Sequence, residues 1–128
     1  MTACPIELDH LVLVVADVER CLAWYQRHLG LAPVRVDEWR SGTAPFPSLR
    51  VSEGTIIDVI PGHDDPDGHR GHLDHICFTV SATQLAAARA ALAVVEEGQR
   101  FGARGIASSI YVLDPDGLTV ELRVYPTG

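Results

Sequence analysis

A short motif occurs twice in this chain of 128 residues, and the repeat limits the folds that the chain can adopt. Leu8-Asp9-His10, followed by an apolar run, returns as Leu73-Asp74-His75, followed by another apolar run. A glycine four residues before an acid also occurs twice, at residues 54–58 and 117–121. Internal repeats of this kind usually mark a repeated structural unit. We therefore expect one unit written twice, each copy opening on a histidine and closing on a carboxylate.

Two imidazoles and two carboxylates at matching positions form the donor set of a divalent-metal site. A single histidine in an apolar strand is more often a packed residue than a ligand. A histidine and an acid at the same places in both copies are harder to explain in that way. The repeat therefore predicts one shared metal site from His10, Asp58, His75 and Glu121. The alternative is that the Asp-His pairs cap strand starts and the acids face solvent.

The bulk composition excludes several classes of protein. A net charge of −7 disfavours nucleic acid and anionic membranes as partners, because phosphate groups need neutralising Lys and Arg. The longest apolar run, Leu11–Ala16, is far shorter than the ~20 residues that span a bilayer. Cys4, Cys21 and Cys77 show no spacing pattern and are expected to be reduced thiols. With no signal-peptide pattern at the start, we expect a cytoplasmic protein.

Periodicity and turn residues predict the order β-α-β-β-β in the first copy, about residues 6–62. The helix begins after Asp17 as N-cap and ends at Gly30. His28 lies near its C-terminal end, where a positive charge is favourable. The predicted strands are Leu8–Val15, Pro33–Asp37, Ser48–Ser52 and Thr55–Ile60.

The second copy, about residues 72–125, repeats this order after a polar connector at residues 61–72. Ser81 and Gln84 form a capping box at the start of its helix. A loop rich in Gly and Arg is predicted at residues 98–105. The predicted strands are Leu73–Val80, a short one near Val94–Glu97, Ala107–Leu113 and Leu118–Val124.

Alternation along the strands separates an apolar face from a polar one, because alternate residues point to the same side. Leu118, Val120 and Leu122 share the face expected to cover a helix. The opposite face is expected to meet water or a wet cavity. Its members are Thr119, Glu121 and Arg123 on the last strand, Ser109 and Tyr111 on the strand before it, and Ser48 and Arg50 in the first copy.

Three stretches resemble the vicinal oxygen chelate superfamily, which includes glyoxalase I, extradiol dioxygenases, fosfomycin-resistance enzymes and bleomycin-binding proteins. They are D-H-L-V-L-V-V-A-D at residues 9–17, W-Y-Q-R-H-L-G-L at residues 24–31 and I-Y-V-L-D-P-D-G-L-T-V-E-L at residues 110–122. The last stretch is the most specific of the three. Together with the repeat, the resemblance extends over nearly the whole chain.

The resemblance implies an α+β fold in which two tandem βαβββ units form a metal-holding cup within one domain, residues 1–128. It places the ligands at His10, Asp58, His75 and Glu121, a set that suits Zn, Ni, Mn or Fe(II). Asp58 could bind the ion directly, bind it through water, or only accept a hydrogen bond behind a ligand.

The function implied is glyoxalase I-like lyase or isomerase chemistry, in which the metal chelates two adjacent oxygens of a small-molecule substrate. Glu121, or Asp58 when it is not a ligand, would carry a proton, and Tyr111 would donate a hydrogen bond. An Fe(II) extradiol-type dioxygenase is the first alternative, although Gly102-Ala103-Arg104 stands where those enzymes have a histidine. A bleomycin-resistance type of drug-binding protein is the second.

Four residues are candidates for contacting the substrate, and all four lie on polar strand faces or in loops. A symmetric fold of this kind is also expected to form a homodimer. The candidate residues are Trp39, Arg50, Arg104 and Ser109.

Overall fold

A computed structural model describes residues 8–62 and 73–126 of the chain. The chain divides into two compact units, Met1–Asp64 and Asp65–Gly128. Most of the predicted connector and Cys4 lie outside the described residues, whereas Cys21 and Cys77 are described and are free thiols. Within the described ranges, no helix is long and apolar enough to cross a membrane.

In unit 1 a four-stranded mixed sheet has the order β1-β4-β3-β2, with β1 parallel to β4 and the other neighbours antiparallel. Helix α1 connects β1 to β2 across one face of the sheet. The elements are β1 (His10–Val15), α1 (Val18–Leu29), β2 (Ala32–Val34), α2 (Val36–Arg40), β3 (Ser48–Ser52) and β4 (Thr55–Pro61).

Unit 2 repeats this topology, with the order β5-β8-β7-β6 and β5 parallel to β8. The two tandem βαβββ-like halves predicted from the repeat are thus confirmed as two four-stranded sheets with helices. The elements are β5 (His75–Thr79), α3 (Ala82–Ala91), β6 (Glu96–Gly102), β7 (Gly105–Leu113) and β8 (Thr119–Val124).

Local chemistry sets the ends of the two long helices as predicted. The Asp17 side chain accepts a hydrogen bond from the backbone N–H of Arg20, and Gly30 ends α1 in the left-handed region at φ 69°. Ser81 and Gln84 form both hydrogen bonds of the capping box at the start of α3. Each long helix leads the chain from the first strand to the far edge of the sheet, and the following antiparallel strands bring the last strand back beside the first.

The core lies on the helix-packed faces of the two sheets. In unit 1, Cys21, Leu22 and Tyr25 of α1 are fully buried together with the apolar side chains of β3 and β4. In unit 2, Val120 and Leu122 of β8 are fully buried, as their alternation predicted. The burial of one face fixes the register of β4 and β8, so their other faces carry Asp58 and Glu121.

Two predicted segments differ from the structure. The strand expected at Pro33–Asp37 ends at Val34, because Arg35 adopts φ 56° and the chain then forms the short helix α2. The loop expected at residues 98–105 is instead a hairpin of β6 and β7, and the short strand expected near Val94–Glu97 is only its beginning. Glycine in this segment marks close approach of side chains to the strand and not a loop.

The environment of His28 also differs from the expected one. Partial burial, and to a smaller extent the charge of Arg27, lower the pKa of His28 below its ordinary value. The imidazole lies 5.3 Å from the Trp24 ring, measured between centroids. Desolvation therefore outweighs the favourable interaction of a cation with the helix end.

We expect His28→Gln to make the stability of the protein less dependent on pH. A lowered pKa in the folded state means that the unfolded chain binds the proton more readily. His28 therefore contributes a loss of stability as the pH falls from 7.5 through about 6.5 towards its folded pKa, and the variant lacks this contribution. Urea unfolding of both proteins at pH 7.5 and 5.5 measures the difference. A larger pH-dependent loss in the variant would contradict this account.

Candidate functional site

His75 and Glu121 form the central pair of unit 2. His75 opens β5 and Glu121 lies on the neighbouring parallel strand β8. The Nε2 atom of His75 is 3.2 Å from Oε1 of Glu121, and its Nδ1 atom is 2.8 Å from Oδ2 of Asp74. A carboxylate behind Nδ1 favours a proton on that nitrogen and leaves Nε2 directed at Glu121.

The Glu121 side chain is buried and its two oxygens have different surroundings. Oε2 accepts hydrogen bonds from the Ser109 hydroxyl at 2.7 Å and from Nη1 of Arg123 at 3.3 Å. Oε1 is the oxygen that faces His75. The carboxylate is therefore held from behind while one oxygen points towards the imidazole.

Unit 1 contains the same arrangement. Nδ1 of His10 is 2.7 Å from Oδ2 of Asp9, and its Nε2 is 3.8 Å from Oδ2 of Asp58. The Ser48 hydroxyl donates to Oδ1 of Asp58 at 2.7 Å, and Nη2 of Arg35 donates to Ser48 Oγ at 3.0 Å. An Asp is one methylene shorter than a Glu, which accounts for the longer distance to the imidazole. The repeat thus extends to a serine behind each carboxylate, Ser48 and Ser109, which the sequence motif did not reveal.

The pKa of His10 is raised above its ordinary value. The hydrogen bond to Asp9 is the main cause, and the negative charge of Asp58 adds to it. Desolvation acts in the opposite direction but is smaller than the effect of the hydrogen bond. Proton and metal compete for the same Nε2 atom, so this electrostatic setting also favours a cation at that atom.

Each unit supplies one imidazole nitrogen and one carboxylate oxygen that face each other, which is the donor chemistry of borderline divalent metals. In the ranges 8–62 and 73–126, no group of three or more His, Cys, Asp or Glu side chains is placed to share an ion. The structure therefore brings the four predicted ligands together as two pairs, His10 with Asp58 and His75 with Glu121. Both pairs fit a metal ion chemically.

Arg123 contacts the Glu121 carboxylate from behind, a position that the sequence did not reveal. Its Nη1 donates to the carbonyl of Phe101 at 3.1 Å as well as to Glu121, and its Nη2 donates to the carbonyls of Arg100 at 2.6 Å and Gly105 at 3.3 Å. A Cβ atom at Gly102 would lie 2.5 Å from Cζ of Arg123, so glycine is required for this position of the guanidinium. Arg123 therefore joins the β6–β7 hairpin to the carboxylate.

Tyr111 and Cys77 lie beside the Glu121 carboxylate, each opposite it in register on a neighbouring strand. Burial, reinforced by the charge of Glu121, raises the pKa of Tyr111. The same two causes raise the pKa of the Cys77 thiol to about 11. Both groups are protonated at neutral pH, so Tyr111 is available as a hydrogen-bond donor and Cys77 is a weak nucleophile.

The four candidate substrate contacts have different positions. Ser109 lies in the site, as the donor to Glu121. Arg50 donates to the carbonyls of the β3–β4 turn, and the guanidinium of Arg104 lies 4.4 Å from the Tyr125 ring centroid. Trp39 lies half-buried in α2.

Replacing Arg123 with Met is expected to lower the free energy of unfolding by about 3–5 kcal/mol, because it leaves the buried Glu121 carboxylate without its cation. Arg40→Met is the matched control, since Arg40 forms an exposed ion pair with Glu19, and little change is expected. Urea unfolding measures both.

Adding Glu121→Gln to Arg123→Met should restore part of the lost stability, because the uncompensated charge is then gone. Equal losses in Arg123→Met and Arg40→Met, or no recovery in the double variant, would contradict the electrostatic explanation.

Comparison with known proteins agrees with the fold and with the family resemblance of the sequence. The model of the family described as Glyoxalase/Bleomycin resistance protein/Dioxygenase superfamily matches residues 7–122. Virulence protein STM3117 of Salmonella typhimurium is 28% identical over 121 residues, which are 92% of this chain and 83% of that protein. Its crystal structure superposes with a TM-score of 0.73 at 24% identity, covering 97% of this chain and 100% of that one.

Two further solved structures share the fold. A glyoxalase/dioxygenase from Nostoc punctiforme has a TM-score of 0.71 at 19% identity and covers 99% of this chain and 98% of that one. The fosfomycin resistance protein FosX from Mesorhizobium loti has a TM-score of 0.65 at 17% identity, with 94% and 92% covered. At these identities, the structures establish a common fold.

Proposed function

Because this chain belongs to the Glyoxalase/Bleomycin resistance protein/Dioxygenase superfamily, we propose that it is a divalent-metal-dependent enzyme with glyoxalase I-like lyase or isomerase chemistry. The substrate is a small oxygenated molecule. The observation that carries the proposal is the repeated pair of imidazole and carboxylate, with an Asp behind each imidazole and a Ser behind each carboxylate.

His10, His75 and Glu121 are the proposed ligands, with Asp58 as a fourth ligand or as a group behind the site. Asp9 and Asp74 support the assignment, because a carboxylate on the far nitrogen is the usual companion of a metal-binding histidine. Zn, Ni, Mn and Fe(II) all suit these donors. When bound, the ion supplies Lewis-acid polarisation of two adjacent substrate oxygens.

The residues of the chain then have separate tasks. Ser109 and Arg123 hold Oε2 of Glu121, so that the carboxylate keeps its orientation when the substrate arrives. Ser48 occupies Oδ1 of Asp58, so Oδ2 is the atom that would accept and return a proton when Asp58 is not a ligand. Glu121 is the other proposed proton carrier. The protonated Tyr111 hydroxyl lies beside Glu121 and would donate to a substrate oxygen that gains negative charge.

An assay of three activities tests the function. Protein reconstituted with Zn, Ni, Mn or Fe(II) is expected to convert a thiol–aldehyde adduct and to retain close to one ion per chain. Oxygen uptake on catechols with Fe(II), without turnover of the adduct, would overturn the proposal in favour of the dioxygenase. Less than about 0.2 ion per chain together with tight binding of a bleomycin-type drug would overturn it in favour of a drug-binding protein.

Substitution of the ligands tests the site. His10→Ala, His75→Ala and Glu121→Gln are each expected to weaken binding of the ion by more than about 100-fold, since the loss of a supporting residue alone costs 10–100-fold. His28→Gln is the matched control, because it also removes a histidine, but one in α1 that is not among the proposed ligands. Calorimetric titration with Zn²⁺ measures the affinities. Unchanged affinity in His75→Ala or Glu121→Gln would exclude this site.

The same variants test the proposed homodimer. A mixture of His10→Ala and His75→Ala chains regains metal binding only if the ligands of one ion come from two chains, because the mixed dimer then holds one intact set. If one chain supplies the whole set, the mixture binds no better than either variant. Analytical ultracentrifugation of the mixture establishes whether dimers are present, and a monomer would contradict the homodimer.

A further inference from the structure

We propose that Arg100 binds an oxyanion group of the substrate, a carboxylate or a phosphate, beside the pair of His75 and Glu121. This inference rests on the proposed function, because it names the class of substrate that the proposed metal site would bind. Its structural basis lies within unit 2. The strands of that unit place a cation with available N–H groups on the same sheet face as the carboxylate and Tyr111.

The register of unit 2 shows which residues share that face. Glu121 lies opposite Tyr111, and Tyr111 lies opposite Glu96 of β6. Arg100 is four residues further along β6 and so points to the same side. Its guanidinium carbon is 5.7 Å from the Tyr111 ring centroid, a cation–π distance. The arginine therefore lies back along β6, towards the tyrosine that lies beside Glu121.

Gly98 makes this position possible. A Cβ atom at residue 98 would lie 3.2 Å from Cζ of Arg100 and still closer to its Nη1 atom. These atoms are at the far end of a flexible side chain, so a larger residue would move the guanidinium and leave the backbone in place. The glycine thus provides the space in which Arg100 lies against the sheet.

The three arginines that pack at this hairpin have different surroundings. Arg123 is committed to Glu121 and three carbonyls, and Arg104 stacks on Tyr125. Arg100 donates from Nη1 to the carbonyl of Gln99 at 3.0 Å, and its Nη2 is 3.6 Å from the exposed carboxylate of Glu96. That distance is too long for a hydrogen bond. Nη2 therefore keeps N–H groups that can donate to an incoming anion, in competition with Glu96 and the Tyr111 hydroxyl.

The net negative charge of the protein explains why binding of an anionic substrate would depend on the Arg100 guanidinium. The chain carries a net charge of −7, so its general field repels anions and a local cation has to attract them. A guanidinium forms paired, charge-assisted hydrogen bonds with carboxylate and phosphate oxygens. The Tyr111 hydroxyl lies beside this guanidinium and can also donate a hydrogen bond. A substrate with one oxyanion group would meet these donors while its other oxygens face His75 and Glu121.

Titration of the full-length, metal-free protein with inorganic phosphate, and separately with acetate, tests the inference. The Tyr111 ring signals in NMR spectra report binding near Arg100. We expect saturable shifts in the millimolar range, and Arg100→Gln is expected to weaken binding by about tenfold or more. Tighter binding of phosphate than of acetate indicates a phosphate group on the substrate, and the reverse indicates a carboxylate.

Three variants separate a specific site from general electrostatics. Gly98→Ala keeps the net charge but displaces Arg100, so we expect it to weaken binding several-fold. Glu96→Gln removes a competing carboxylate and should strengthen binding. Arg89→Gln is the matched control, because Arg89 pairs with Glu97, which points to the opposite face of β6, and binding should not change. Equal effects of Arg100→Gln and Arg89→Gln, or no effect of Gly98→Ala, would overturn the inference.

The result does not depend on the metal, because the titration uses metal-free protein. Loss of anion binding in Arg100→Gln without any uptake of Zn²⁺ by the wild type would support the anion site and contradict the proposed function. Metal uptake and turnover of the adduct with no anion binding at Arg100 would support the proposed function and contradict the anion site.

Discussion

The buried carboxylate of Glu121 is the constraint on which the organisation of unit 2 depends. Glu121 is only 4% exposed. Burying a carboxylate costs free energy unless an opposite charge and hydrogen bonds compensate it. Arg123, two residues along the same strand, supplies the charge, and Ser109 supplies a hydroxyl. Arg123 is buried in turn, and its two terminal nitrogens donate to carbonyls of the β6–β7 hairpin, whereas its buried Nε has no hydrogen-bond partner among the described residues. One guanidinium thus joins the buried carboxylate to the hairpin.

In unit 1 the carboxylate of Asp58 is also compensated by a serine and an arginine, but the arginine comes from a different element. Ser48 lies directly opposite Asp58, but the cation comes from Arg35, in the left-handed residue between β2 and α2. The side chain of Arg35 is 45% exposed and 3.9 Å from Asp58, whereas that of Arg123 is 4% exposed and 3.3 Å from Glu121. The more exposed cation is screened by water and compensates its carboxylate less completely. Asp58 is therefore the less firmly held of the two carboxylates.

Much of the fold could be predicted from the sequence, because alternation, helical spacing and turn residues act locally. The strand Ser48–Ser52, the Asp17 and Gly30 caps and the capping box at Ser81 follow from neighbours a few residues apart. The hairpin at residues 98–105 could not be predicted in this way. Its glycines make room for arginine side chains, a contact that exists only in the folded sheet. The repeat likewise revealed the His and acid positions, but not Arg35 and Arg123, which occupy different places in the two copies.

The alternation of residues along β8 also predicted which side chains share a face. It did not predict how little of that face is exposed. The face of Glu121 and Arg123 was expected to meet water or a wet cavity, and both residues are nearly inaccessible. Because Arg123 binds the carbonyl of Arg100 as well as the carboxylate of Glu121, the backbone position of Arg100 is fixed relative to that carboxylate through one guanidinium. A substrate that spans the proposed anion site and the proposed metal ligands would then meet two groups whose separation is set before it arrives. Such preorganisation lowers the entropy lost on binding, and it gives Arg123 a role in orientation although it need not touch the substrate.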